Sequence, residues 1–490
     1  MAGDVPKRPS YAIEDDTPSA KRKQLDNQMR VFVSDGVHSE GIGDFGMIQL
    51  DERSDRISNL PQELVHCILE RLSVHDAART SVLSKEWRCK WGMKNNLVLD
   101  KLFFLQLTAN KDKDTHQSAF SRAVEMIILA HAGPLLSLNL FIPPKLDQFT
   151  VSRWLDHFLN KKVKVLEIFF SEKNACEIPL FTCEGLVEFK LTTGTLTASP
   201  KLGSFDNLRR VELIDVSITA DISFGSQLKE LLLYGCTGIH NLGCQFTNSN
   251  NLTYFILYKS EQIEWQWFKC TKQLKFLGLA LTTVNPNTRM PVDLIKLLGD
   301  TPSISHLYVN GYTVEVLGQP FYPTLKGVAP RIEILRLLGL QFKNVCQLYN
   351  SLSLIRCLSN LRVLMIELKP GTRSLDPTVG QRMEKPCWKD VLLHQLHTLT
   401  ILDVVVDTRV LSLIKTLLAV SPSLKKIFFH FSNVKADAYA EMSKIKKLFR
   451  QCPRKSLSAK IYLSFQNPRN IVTQPNRYSS HLGALWFELH

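Results

Sequence analysis

Leu208-Arg209-Arg210-Val211-Glu212-Leu213, Leu228-Lys229-Glu230-Leu231-Leu232-Leu233 and Leu252-Thr253-Tyr254-Phe255-Ile256-Leu257 spell one pattern three times, with an apolar residue at positions 1, 4 and 6. Alternation at positions 4 and 6 puts both side chains on one face of a short strand, and positions 3 and 5 on the other. Allowing apolar substitutes, the pattern returns at Leu135-Leu138-Leu140, Val163-Leu166-Ile168, Leu186-Phe189-Leu191 and Leu274-Leu277-Leu279. It continues at Ile304-Leu307-Val309, Ile332-Leu335-Leu337, Leu361-Leu364-Ile366, Leu399-Leu402-Val404 and Leu424-Ile427-Phe429. One such hexad is a common accident; twelve in succession are a period.

Units of roughly 20–29 residues with this spelling are leucine-rich repeats, each a strand plus a return segment that buries its edge on the next unit. The expected fold class is α/β: a curved, mostly parallel sheet with helical and extended returns. Short units leave room only for an extended return or a single turn. Longer ones have room for helices, and Val292–Leu298 and Leu411–Leu418 both carry the amphipathic period. Gly299 and Ser421-Pro422 are their expected stops.

The rest of the composition narrows the function. The chain has 490 residues, 44% hydrophobic and 22% charged, which is ordinary globular usage. Its net charge of +14 is compatible with acidic partners and says nothing of fold. Eleven cysteines without a CxxC pair point to reduced thiols in an intracellular protein. Cys387, His394 and His397 come nearest to metal-ligand spacing, but no second cysteine pair supports them, so no metal is expected. Met1–Asp16 has no apolar stretch of the kind a signal peptide needs. Met126–Pro144 is interrupted by Gly133-Pro134 and reads as a helix followed by a strand, so no membrane span is expected.

Residues 1–55 read as a disordered tail, poor in aromatics and without a period. Lys7-Arg8 and Lys21-Arg22-Lys23 resemble a bipartite nuclear import signal, so the expected location is the nucleus and/or the cytoplasm; the plain alternative is a solvated charge run. Gly41-Ile42-Gly43-Asp44-Phe45-Gly46 matches GxGxxG and Asp-Phe-Gly by accident, since neither a βαβ unit nor a His-Arg-Asp loop accompanies it.

Residues 56–96 change character. Pro61 suits the first turn of a helix in which Leu64, Ile68 and Leu72 stand at i, i+4, i+8, beside Val65 and Leu69. Ser73 and Asp76 form a capping box for a second helix through Val82-Leu83. Ser84 can cap a third helical turn with Trp87 and Trp91 on one face. This is more apolar surface than three short helices can hide, so a docking surface is expected, for a partner or for the rest of the chain.

The run Arg56-Ile57-Ser58-Asn59-Leu60-Pro61-x-Glu63-Leu64, then Ile68-Leu69, then Ala77-Ala78-Arg79-Thr80-Ser81-Val82-Leu83-Ser84-Lys85-x-Trp87-Arg88-x-x-Trp91 resembles the plant F-box. Glu86, where a basic residue is usual, and Gly92 after Trp91 depart from it. From about Trp388 the chain resembles the FBD region that follows the repeats in many plant F-box proteins, chiefly through Leu417–Lys426. The resemblance implies a three-helix F-box at 56–96, repeats at 97–387, an FBD-like region with the last repeats at 388–465, and a tail at 466–490. It also implies a substrate receptor, not an enzyme and without a cofactor. The F-box would dock a Skp-family adaptor, and through it a cullin, by Leu60, Pro61, Leu64, Ile68, Leu69, Leu72, Val82, Leu83, Trp87 and Trp91.

The target protein itself is left open. Its expected seat is the sheet face opposite the repeat leucines, with Glu188, Lys190, Arg210, Glu212, Glu230, Tyr254, Lys275, Arg336 and Asp403. Among these Tyr254, Arg336, Lys275 and Glu230 are the named candidates. The second reading is a nuclear repeat scaffold that uses the basic stretch after Leu424 on nucleic acid or acidic protein, with Phe449, Tyr462 and Phe465 nearby. On the first reading nucleic acid is not a partner.

Overall fold

A computed structural model describes residues 60–172, 177–179, 185–197, 205, 207–242, 251–260, 265–282, 294–316, 331–341, 345–369, 392–404, 408–431, 443, 447, 456 and 459–464. All of them fall in the compact unit Leu60–His490. The basic clusters at 7–8 and 21–23, the glycine run at 41–46, Cys387 and the tail at 466–490 lie outside the described residues.

The repeat leucines build a single sheet. Its strands are β1 (Asn96–Leu99), β2 (Ser137–Ile142), β3 (Val165–Phe170), β4 (Glu177–Pro179), β5 (Glu188–Thr197), β6 (Arg210–Ile218), β7 (Glu230–Tyr234) and β8 (Tyr254–Ser260). They continue as β9 (Phe276–Leu281), β10 (His306–Asn310), β11 (Ile334–Leu340), β12 (Val363–Leu368), β13 (Thr398–Leu402), β14 (Lys426–His430) and β15 (Lys460–Ser464). Fourteen of them lie in chain order, each paired in parallel with the next, and β4 sits off this path against the end of β5. The leucines at positions 4 and 6 align from rung to rung, for example Leu213 with Leu233 and Leu233 with Leu257. One cluster of buried side chains therefore runs without a break from Val74 to Ala459.

The long returns fold as helices. Between β1 and β2 lie α3 (Lys101–Thr108) and α4 (His116–Ala130), and between β2 and β3 lies α5 (Gln148–Leu159). Further on come α6 (Leu294–Asp300), α7 (Gly311–Val316), α8 (Val345–Cys357) and α9 (Thr408–Val420). Asp100 and Asp147 cap α3 and α5 through the Phe103 and Thr150 amides. Ser421-Pro422 ends α9 as expected, whereas α6 runs past Gly299 to Asp300. Met126–Pro144 is the end of α4 followed by β2. Among the described residues no helix is long and apolar enough to cross a membrane.

Two expectations about the rungs are corrected. The unit at 399–404 is misplaced by three residues: Leu399 and Ile401 pair with Leu364 and Ile366, so its pattern is Leu396-Leu399-Ile401. Leu396 is fully buried while Leu402 is half-buried on the other face. The count of twelve is also short. β1 precedes the first recognised unit and β15 comes after the last, with Leu97 and Leu99 on Leu138 and Leu140, and Ile461 and Leu463 on Ile427 and Phe429. Position 1 in those two rungs is Lys94 and Ser458, which broke the pattern.

Candidate functional site

Before β1 the chain forms α1 (Gln62–Arg71), α2 (Val74–Arg79) and two 3-10 turns at Thr80–Val82 and Lys90–Met93. Ser73 caps α2: its hydroxyl accepts from the Asp76 amide at 3.1 Å and donates to the Asp76 carboxylate at 2.9 Å. The second helix is thus one and a half turns long and tightens at Thr80, short of the expected end. Ser84 does receive the Trp87 amide, at 3.3 Å, but the chain then continues as turns and a 3-10 helix. The expected third α-helix is absent among the described residues, and Gly92 in the 3-10 turn lies against the end of α4. A Cβ there would stand 2.4 Å from the Ala130 carbonyl oxygen, and the Gly92 carbonyl accepts from the amides of Ala132 and Gly133.

The apolar residues of this unit divide between core and surface. Val65, Leu69, Ala77 and Trp87 form a small core of their own, with Leu60, Leu72 and Trp91 packed against it. Leu69 and Trp87 are each 2% exposed. Both were expected at the docking surface, and the structure corrects this: a bundle this small consumes its largest side chains inside. Ile68 is half-buried and Pro61 exposed. Leu64, Val82 and Leu83 point to solvent, Val82 at 87% exposure. These are the groups free to meet another protein.

A polar joint ties the unit to the first rung. Lys94, at position 1 of that rung and buried, donates to the carbonyls of Leu69 (2.6 Å) and Leu72 (3.3 Å) at the end of α1. A cation at a helix C-terminus satisfies carbonyls that have no intrahelical partner. Burial pulls the Lys94 pKa down, and the Glu70 carboxylate, 3.7 Å away, pushes back. Glu70 also accepts from the Asn95 amide and from Asn96 Nδ2 at 2.9 Å, clamping the chain as it enters β1. The Lys94 carbonyl faces His131 Nε2 at 2.7 Å, and Lys161 Nζ faces His131 Nδ1 at 2.9 Å.

The sheet face opposite the core carries positions 3 and 5 of each rung. On β3–β7 it is charged. Glu212, nearly buried, holds Lys190 at 3.2 Å and Arg210 at 3.6 Å, and Arg210 also reaches Glu230 at 3.5 Å. Glu167, Glu188, Lys190, Arg210 and Glu212 line a cleft of about 200 Å³ here. On β7–β11 the face turns apolar: Ile256 and Tyr308 are buried among Leu232, Tyr254, Tyr258, Phe276, Ile334 and Leu338. Tyr254 stacks on Phe276 with ring centroids 4.1 Å apart, and the Arg336 guanidinium lies 4.6 Å from the Tyr308 ring centroid. Burial pushes the Tyr254 and Tyr308 hydroxyls up and the Arg336 pKa down. At the far end Phe428 stacks on Tyr462 at 4.8 Å, beside the exposed, register-paired Lys426 and Lys460.

The helical unit has a known counterpart: the F-box domain family matches residues 57–99. An F-box/FBD/LRR-repeat protein of Arabidopsis thaliana is 24% identical over 428 residues, 84% of this chain and 99% of the relative. A second is 31% identical over 222 residues, 42% of this chain and 50% of the relative. An Arabidopsis F-box/LRR-repeat protein is 30% identical over 38% of this chain and 58% of its own length. The chain thus carries an F-box domain and is similar over most of its length to F-box/FBD/LRR-repeat proteins.

The expected target-face residues fare unevenly. Glu188, Lys190, Arg210, Glu212, Glu230, Tyr254 and Arg336 occupy positions 3 and 5 of their rungs, and the register brings them onto one face. Lys275 does not belong there. It precedes β9 at position 2, and Phe276 and Gly278 hold the facing positions. Asp403 likewise lies past the end of β13. Phe276, Tyr308, Phe428 and Lys460 were missed, although position 3 or 5 of a correctly phased repeat finds the first three. Among the described residues no cluster of His, Cys, Asp and Glu could hold a metal.

Proposed function

We propose that this chain is a substrate-recognition subunit of an SCF-type cullin–RING ubiquitin ligase. The F-box docks a Skp-family adaptor, and the sheet face binds the protein to be ubiquitinated. Kinship with F-box/LRR proteins supports the substrate-adaptor role in general, and one structural observation supports the finer reading. Apolar groups that the F-box core leaves unused, Leu64, Val82 and Leu83, lie on elements distinct from the patterned sheet face. Two separate binding surfaces on one chain are what a receptor needs. The chain then contributes no reacting group: it raises the local concentration of target lysines at a ubiquitin carrier.

Val82→Asp with Leu83→Asp tests the adaptor surface without touching the core. Exposed apolar anchors at an interface cost about 2 kcal/mol or more when lost, roughly thirtyfold in affinity. The double variant should therefore fail to copurify adaptor and cullin while keeping its circular dichroism and thermal midpoint. Undiminished adaptor recovery would remove this surface from the assembly. On the basic clusters alone we place the protein in the nucleus and/or the cytoplasm. Neutralising Lys21, Arg22 and Lys23 should shift a tagged chain toward the cytoplasm, and an unchanged distribution would retire the import signal.

A further inference from the structure

We infer that the bound target presents a charge-segregated segment, basic at one end, apolar and aromatic in the middle, and acidic at the other, laid across the strands from β3 to β15. This rests on the proposed target-binding role of the sheet face and names the partner's chemistry there.

Three observations carry it. At the β3–β7 end the cations are already engaged: Lys190 and Arg210 both hold Glu212, and Arg210 also holds Glu230. Glu167 accepts from Asn139 Nδ2 at 2.8 Å but makes no ion pair among the described residues, nor does Glu188. Both line the cleft, so this end offers carboxylates to an incoming cation. At the β14–β15 end the signs are reversed. Lys426 and Lys460 stand side by side in register, exposed, with no ion pair among the described residues, next to the Phe428–Tyr462 stack. Two like charges on adjacent strands repel, and an anion between them relieves that repulsion. Between the ends lies the apolar stretch around the stacked, half-buried Tyr254 and Phe276, the type of surface that supplies interface anchors.

The dimensions suit a peptide segment. Neighbouring strands are about 4.8 Å apart, so the eleven steps from β3 to β15 span about 53 Å. About sixteen extended residues cover that distance at roughly 3.3 Å each. A segment of this length can meet both charged ends at once. Charge complementarity fixes its order, and like-charge contact penalises the alternatives.

The test uses the full chain copurified with its adaptor and two fluorescent sixteen-residue peptides of identical composition. One has a basic block, an aromatic–aliphatic block and an acidic block; the other has the same residues with charges alternating throughout. The segregated peptide should bind at least about tenfold tighter. Lys426→Glu with Lys460→Glu should weaken it by about tenfold, and should bind instead a peptide whose acidic block is replaced by a basic one. That gain is a result that misfolding cannot produce. Equal binding of the two peptides, or a segregated peptide indifferent to the charge reversal, overturns the inference. Adaptor recovery, scored in the same preparations, separates the outcomes: loss of adaptor speaks against the ligase role, whereas intact adaptor with no order preference refutes the segregated segment alone.

Discussion

Lys259 adopts a left-handed backbone with φ of 53°, and it does not do so alone. Thr193, Asp215, Gly235, Gly339 and Asp403 share the conformation, and each stands at position 8 of its repeat. In these six rungs the chain bends at position 8 through a left-handed residue. Where both neighbours have one the rungs stay aligned, as at Thr193 and Asp215; where one lacks it the register shifts, as at Lys259. Asp403 occupies position 8 only if its repeat starts at Leu396, which confirms the corrected phase independently of strand pairing. A branched side chain pays most for this conformation, about 1–2 kcal/mol. Lys259→Val should lower stability by that amount in urea unfolding. Lys259→Gly should be near neutral, because relief of the backbone offsets the lost contact of the Lys259 ammonium with the Tyr234 ring, 5.1 Å away. The phase can be weighed in the same way. Leu396→Ala should cost about 2–5 kcal/mol as a core truncation. Leu402→Ala should cost less than about 1 kcal/mol as a half-exposed one. Equal costs would restore the phase that places Leu402 inside.

At the scale of elements, the sequence announced the interior rungs and concealed both ends. Positions 4 and 6 are legible because a parallel strand packed on one side needs them apolar. Position 1 is less constrained, since at the ends of the stack it can serve a neighbour instead. Lys94 shows the reason: its ammonium satisfies the carbonyls of α1, a role no leucine could fill. The F-box helices were legible from their period, but which apolar side chains stay outside was not, because that depends on how a few short elements close on Trp87. The close approach of the 3-10 turn to α4 was written in Gly92 and Gly133 without being readable as such. A Cβ at Gly92 would strike a backbone oxygen at 2.4 Å, and one at Gly133 would reach Met93 Cα at 2.9 Å. Backbone cannot swing aside as a side-chain tip can. Gly92→Ala should therefore destabilise by about 1–3 kcal/mol. It should also raise trypsin cleavage within 62–93 before the rungs are cut. A digestion pattern identical to wild type would show that the seam tolerates a methyl group.

For the whole molecule, the sheet is continuous, but the two proposed binding regions are not equally secured. Each central rung buries leucines on both neighbours, whereas the F-box has a four-residue core of its own and joins the main core through Val74 and Trp91, beside the polar joint around Lys94. His131, 3% exposed, sits in that joint, and its two ring contacts favour the neutral form. The Lys94 carbonyl can only accept, so Nε2 carries the hydrogen; the Lys161 ammonium can only donate, so Nδ1 offers its lone pair. A protonated ring would set a second hydrogen against Lys161. Burial lowers the His131 pKa first, the positive charges of Lys161 and His157 lower it further, and only the Lys94 carbonyl and Glu70 oppose them. Because the folded pKa lies below the unfolded value of about 6.5, the unfolded chain takes up a proton that the folded joint refuses. The contribution is therefore fully present above about pH 6.5 and is lost as pH falls below it. Hydrogen exchange, corrected for the intrinsic rate, should show the amides of α1 and α2 losing protection between pH 7.5 and 5.5 while those of β6–β9 keep theirs. His131→Gln keeps a donor and an acceptor without a titrating ring, and should flatten that difference. Uniform loss along the sheet, or an unchanged pH response in His131→Gln, would assign the acid sensitivity to other groups and leave the joint as a purely mechanical link.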